Sequence, residues 1–264
     1  AFTKEFFDNM GEGGNPDGSP IFIVGLPRSG STLIEQILAS HSCVEATSEL
    51  HFIGRIAAQL EGKRKRGEKS NYTSVIAELD KDRRYELGEQ YLSSAAVYRT
   101  REGHFIDKLP NNFMHLALVK LILPNAKVID ARRGPMAACF ANFKQLFAQG
   151  QFFTYSFEDI AHYYADYIEL MRHWDKVIPG FSLTINYELV VENLEEQVAL
   201  ILKHCGLEFE EQCLRYHDSQ RAVRTASSEQ VRLPIFTDAL DQWRNYGSYL
   251  DPMSKVLRKR GIQL

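Results

Sequence analysis

What this chain lacks narrows its reading first. No apolar run approaches 18 residues, so no stretch reads as a membrane-spanning helix. No CxxC pair occurs among Cys43, Cys139, Cys205 and Cys213, and their spacing fits no zinc site. Cys139 and Cys205 sit in apolar stretches, which predicts buried reduced thiols and favours a reducing, cytoplasmic compartment. Positive charge is not in excess: the formal net charge is −3, so the surface as a whole does not read as nucleic-acid binding. The one basic run, residues 63–66, reads as a solvated loop or helix end. The opening AFTKEFFDNMGEGGNPDGSP has neither the apolar core of a signal peptide nor an initiator Met, as expected of a fragment or a processed chain. No internal repeat or low-complexity tract is visible, and nothing in the sequence fixes an oligomeric state.

What is present is the alternation of an α/β protein. Residues 21–24 (IFIV) are a short apolar, β-rich run, and residues 105–106, 127–131 and 181–186 are further strand candidates. Helical patterns start at Thr32 and near Ser48, and cover 85–97, 114–122, 136–147, 157–177, 194–205 and the region near 252–260. Gly206 is a helix stop. Strands alternating with helices predict a P-loop-like parallel sheet flanked by helices on both faces. The 264 residues are assigned to a single domain, 1–264, with 1–20 as a loop-rich N-terminal segment.

The chemistry begins at Gly25-Leu-Pro-Arg-Ser-Gly-Ser-Thr32, which has the spacing of a Walker A loop between a strand and a helix. Its backbone amides and the helix N-terminus would cradle an anion; Gly30 lets the backbone approach closely, and Ser29, Ser31 and Thr32 add hydroxyls. One residue is missing from it. Ser31 occupies the Walker lysine position, and the loop's cation is Arg28. A nucleoside triphosphatase needs that lysine against its phosphates, so the loop suits a 5′-phosphosulfate better than a triphosphate with Mg²⁺. A kinase-like reading would need Asp130 as its second acid. A second anion site is expected at Arg132 or Arg133, because an arginine ending a strand of an open parallel sheet points into the ligand crevice.

The segment FIVGLPRSGSTLIEQILASH, residues 22–41, resembles the 5′-phosphosulfate loop of sulfotransferases. Its PRSG-T pattern is closest to tyrosylprotein sulfotransferases and to bacterial sulfotransferase domains associated with tetratricopeptide repeats. The resemblance implies transfer of a sulfuryl group from 3′-phosphoadenosine 5′-phosphosulfate (PAPS), without metal, to a hydroxyl of a peptide tyrosine, sugar or small alcohol. The charge and the lack of a long apolar run predict no nucleic-acid and no membrane partner. Arg133 matches the family's 3′-phosphate arginine, although Gly134 and Ala141 depart from the pattern, the latter where a serine is expected. Asn142 or a water is a candidate replacement for that serine.

The resemblance also implies Glu49 as general base. An acidic first-turn residue behind a Ser48 cap is the structural alternative. His51 and His104 are other candidate bases. Arg28 and Lys108 would meet charge building on the leaving phosphate. The stretch VRTASSEQVRLP, residues 223–234, implies Ser227 at the sulfuryl end, with Gln230, Val231 and Arg232 lining the nucleotide. Gln242 stands where a lysine is expected, with Arg224 or Arg232 as compensating cations, and Tyr187 matches a tyrosine that packs near the adenine. A module that binds adenosine bisphosphate without catalysis is the remaining alternative.

Overall fold

The computed structural model describes residues 2–63, 67–148, 150–218 and 240–264. Five strands form one parallel sheet in the order β2-β3-β1-β4-β5: β1 Pro20–Gly25, β2 Val44–Ser48, β3 His104–Lys108, β4 Lys127–Arg132 and β5 Ser182–Asn186. The helices are α1 Lys4–Asn9, α2 Ser31–Ala39, α3 Phe52–Glu61, α4 Tyr72–Ala77, α5 Lys81–Ala96, α6 Leu116–Ile122, α7 Pro135–Phe143, α8 Phe157–Val177, α9 Tyr187–Glu192, α10 Leu194–Cys205 and α11 Asp251–Lys259.

The two-residue repeat of a strand divides the core between the sheet's two faces. Phe22, Val24, Phe105 and Val128 face a layer built from α3, α5, α6, α8 and α11. Ile21, Ile23, Ile106, Ile129 and Ala131 face α2 and α10. β1 is buried along its whole length, which explains its near-continuous apolar run. Burying each of its large apolar side chains contributes about 1.5–3 kcal/mol. Cys139, Cys205 and Cys213 are buried free thiols, and Cys43 is an exposed one. Among the described residues no helix is long and apolar enough to cross a membrane.

Several boundaries differ from expectation. The helix expected to begin near Ser48 begins at Phe52, because residues 44–48 form an edge strand instead. That strand escapes pattern reading because its second residue, Glu45, is a buried carboxylate held by Arg99 and Thr100 rather than an apolar side chain. The helix expected over 136–147 stops at Phe143; beyond it Leu146 is 80% exposed, with no core surface to bury against. The N-terminal segment carries α1, capped by Thr3, and Phe2 packs on Trp174 of α8. Pro110 starts a 3-10 turn ahead of α6, so that helix begins at Leu116.

Candidate functional site

The carboxyl ends of the parallel strands β1, β3 and β4 lie side by side at one end of the sheet, and each delivers part of the candidate site. After β1 the chain turns into α2 through Arg28, at φ 63°, and Gly30, at φ 94°. A Cβ on Gly30 would stand 2.6 Å from the Tyr187 ring, so both conformation and contact require glycine there. Gly30 caps α2 without a side-chain bond, and its carbonyl accepts from Leu33 and Ile34. Ser29, Ser31 and Thr32 are buried at the start of that helix, whose first-turn amides and dipole favour an anion.

At the end of β4, alternation separates the two arginines. Arg132 shares a face with Asp130, forms an ion pair with it and lies over the Tyr167 ring of α8. The alternative in which Arg132 is the anion ligand is therefore corrected. Asp130 also accepts from the Tyr167 hydroxyl and from Thr184 at 3.4 Å, and it is fully buried. A carboxylate committed in this way cannot serve as the second acid of a kinase-like site.

Arg133 points to the other face. It is 9% exposed, donates from Nη1 to the Arg28 carbonyl at 3.3 Å and stacks over Tyr187 at 4.9 Å. Burial, and then the neighbouring Arg133, hold the Arg28 pKa below its ordinary value. Burial likewise lowers that of Arg133. Lys144, just beyond α7, is depressed by desolvation, by Arg28 and by Arg133. Three cations held against their mutual repulsion suit a strongly anionic ligand. The Glu188 carboxylate lies beside them and accepts from the Gly134 amide at 2.9 Å. A Cβ at position 134 would stand 3.2 Å from Oε1, a tight contact that a shift of the carboxylate by a few tenths of an ångström relieves.

Asn142 does not replace the serine missing at Ala141. Its Nδ2 donates to Pro27 O at 2.7 Å and to Ala138 O at 2.9 Å, tying α7 to the phosphate loop. Its remaining atom, Oδ1, is buried and can only accept.

Glu49 lies in the connection from β2 to α3, not in a helical first turn. Lys108, the last residue of β3, donates from Nζ to Glu49 Oε1 at 2.5 Å. The lysine side chain is 4% exposed and the glutamate 46%, so the pair runs from the floor of the crevice to solvent. His104 starts β3, four residues from Lys108 and about 13 Å away along the strand. It stands at the opposite end of the sheet, which removes it as an alternative base. His51 is exposed at the start of α3.

Ser227, Gln230, Val231, Arg232 and Arg224 lie outside the described residues. Lys144, whose amine donates to the Gln242 carbonyl oxygen, was not singled out from the sequence, nor were Glu188 and Asp107. None of the three carried a local signal, because each meets its partners far away in the sequence. Among the described residues no group of His, Cys, Asp and Glu could hold a metal ion.

The chain is similar to known proteins over most of its length. The Sulfotransferase family profile matches residues 20–211. An uncharacterised protein of Aquifex aeolicus is 35% identical over 98% of this chain, which spans 35% of that relative's length. A putative protein-tyrosine sulfotransferase of Caenorhabditis briggsae is 23% identical over 84% of this chain and 80% of its own. The sulfotransferase domain of the Synechococcus olefin synthase superposes with a TM-score of 0.65 at 19% identity, over 97% of this chain and 98% of that domain. The strand–loop–helix around residues 20–39 and Arg133, just beyond β4, both fall inside the matched region, and the chain belongs to the sulfotransferase family.

Proposed function

We propose that this domain transfers a sulfuryl group from PAPS to an acceptor hydroxyl by in-line displacement, with Glu49 as general base. The observation that carries the reading is the Glu49–Lys108 pair at the same end of the sheet as two candidate anion sites, the 25–32 loop and Arg133. The residues present fit a bisphosphate-type cofactor: a glycine-pinned cradle, a helix N-terminus, and Arg28, Arg133 and Lys144 gathered near one another, with Glu188 beside Arg133. Bound PAPS would supply the electrophilic sulfur and a phosphate leaving group.

The loop amides with Ser29, Ser31 and Thr32 bind the 5′ end, Arg133 binds the 3′-phosphate, and Tyr187, already stacked under Arg133, lines the base. Glu49 presents its more exposed end to the acceptor and takes the hydroxyl proton on its carboxylate. Lys108 and Arg28 then face the charge released on the leaving oxygen. Ser227, Gln230, Val231 and Arg232 complete the cofactor side in this proposal. A peptide tyrosine is the favoured acceptor over a sugar or small alcohol, supported by the motif likeness and by the protein-tyrosine sulfotransferases among the relatives. The same reading treats 1–264 as one domain and, from its unpaired cysteines, as cytoplasmic.

The test is Glu49→Gln, assayed with radiolabelled PAPS against tyrosine-rich peptides and simple phenols. Turnover falls at least about a hundredfold while affinity for adenosine 3′,5′-bisphosphate is unchanged. Wild-type turnover at an unchanged melting temperature would leave Glu49 without a catalytic role. Tight bisphosphate binding with no transfer in the wild type would favour a binding module instead.

A further inference from the structure

The residue before Lys108 is a carboxylic acid that the proposed mechanism does not use. Asp107 is 0% exposed, in the middle of the protein. Strand alternation turns it away from the crevice, onto the face of Phe105 and the α5 layer. Its Oδ2 accepts from the Tyr91 hydroxyl of α5 at 2.9 Å. Its Oδ1 accepts from the Leu50 amide at 3.3 Å, and Leu50 is the residue after Glu49. A fully buried carboxyl is expensive to desolvate, and an apolar side chain would fill this layer at lower cost.

The local backbone shows what the contact achieves. β2 pairs with β3 in register from Val44 to Ala46, then the register shifts, and Ser48 stands opposite Asp107. At the irregularity, Thr47 Oγ1 donates to the Ile106 carbonyl at 2.8 Å. Two residues past Ser48, the Asp107 carboxyl takes up the Leu50 amide. Glu49 is therefore held from two sides by consecutive residues of one strand: its side chain by Lys108, and the backbone that follows it by Asp107.

We propose that Asp107 is a positioning residue, whose carboxyl fixes the backbone at Leu50 and so sets where the Glu49 carboxylate stands relative to Lys108. The proposal rests on Glu49 being the base. It assigns to the Asp107-Lys108 dipeptide a division of labour, with one side chain placing the backbone and the next meeting the carboxylate. Burial raises the Asp107 pKa to about 8, despite the hydrogen bonds from Tyr91 and Leu50, with Glu49 raising it further and Lys108 lowering it. A neutral side chain with the same outline should therefore serve almost as well.

The experiment compares Asp107→Asn, Asp107→Ala and Tyr91→Phe for kcat, acceptor KM, bisphosphate affinity and melting temperature. Asn keeps an oxygen for the Leu50 amide and retains turnover within about threefold. Ala removes that acceptor and lowers kcat about ten- to a hundredfold, since an ångström of misplacement costs that much, with KM and bisphosphate affinity unchanged. Tyr91→Phe lowers the melting temperature but keeps the Leu50 contact, and so keeps kcat. Asp107→Ser, too short to reach the Leu50 amide, carries the same expectation as Ala if Ala does not fold. In a Glu49→Gln background, Asp107→Ala brings no further loss, because it acts through Glu49.

If Ala or Ser keeps wild-type kcat while losing as much stability as Tyr91→Phe, Asp107 is a structural buried acid and the inference is wrong. If Glu49→Gln itself keeps wild-type turnover, the underlying reading has failed instead, and the two failures are told apart by that one control.

Discussion

Replacing Arg133 with Ala should separate two ligands that differ by a single phosphate. The guanidinium is buried at 9% exposure, is stacked on Tyr187 and shares its pocket with Arg28 and Lys144. A charge-assisted hydrogen bond to such a group is worth about 1.5–3 kcal/mol, and a forked contact makes two. Relief of repulsion among the three cations offsets part of that sum. The net expectation is about 3 kcal/mol, or roughly a hundredfold in Kd for adenosine 3′,5′-bisphosphate. Adenosine 5′-monophosphate, lacking the 3′ group, should weaken by less than about threefold on the same reasoning. Lysine at 133 should not restore affinity, because it can neither fork nor stack as a planar group. The assay is calorimetry of both ligands in EDTA. Equal weakening of the two would refute the assignment. It would mean that Arg133 acts by bracing the loop through the Arg28 carbonyl, which its Nη1 holds.

Two further outcomes follow from the geometry. Gly30→Ala forces a side chain into φ 94° and against Tyr187, so it should destabilise the fold by about 1–3 kcal/mol in denaturant titration and weaken the bisphosphate in parallel; an unchanged protein would mean the loop is not pinned there. Asp107, raised from 3.8 to about 8 by burial, has its folded pKa above its unfolded one, so its contribution to stability is present at low pH and is lost as pH rises toward about 8. The stability gap between wild type and Asp107→Asn should therefore shift against the wild type by up to about 1.4 kcal/mol per pH unit across that window, and a pH-independent gap would show that the acid is not held neutral.

How much of this was legible follows from where each signal resides. The 25–32 loop could be read because its eight consecutive residues carry both the turn and the chemistry, and the structure keeps strand, loop and helix where the pattern places them. Helices at 157–177 and 194–205 were legible to the residue, since their caps, Ser156 and Gly206, are written in the sequence. Arg132 and Arg133 were left open together. Only the strand's phase decides between them, and that phase depends on which face Asp130 and Tyr167 occupy. Glu49 was singled out through family resemblance while its setting was misread, because β2 is an edge strand with a buried glutamate and little apolar signal. Lys144 and Asp107 were not legible. The first matters through Arg28 and Gln242, about a hundred residues away on either side, and the second through a strand register that no local pattern encodes.

The most direct test of the account is whether the crevice binds two separated phosphates without metal. Adenosine 3′,5′-bisphosphate titrated into the protein in EDTA, beside ATP with Mg²⁺, gives the answer in one pair of calorimetric runs. The expected result is a Kd on the order of micromolar or tighter for the bisphosphate, unchanged by Mg²⁺, and much weaker binding of ATP with Mg²⁺, since Ser31 stands in the lysine position and Asp130 is sealed in the core. Tight binding of ATP with Mg²⁺, with no heat from the bisphosphate, would contradict it.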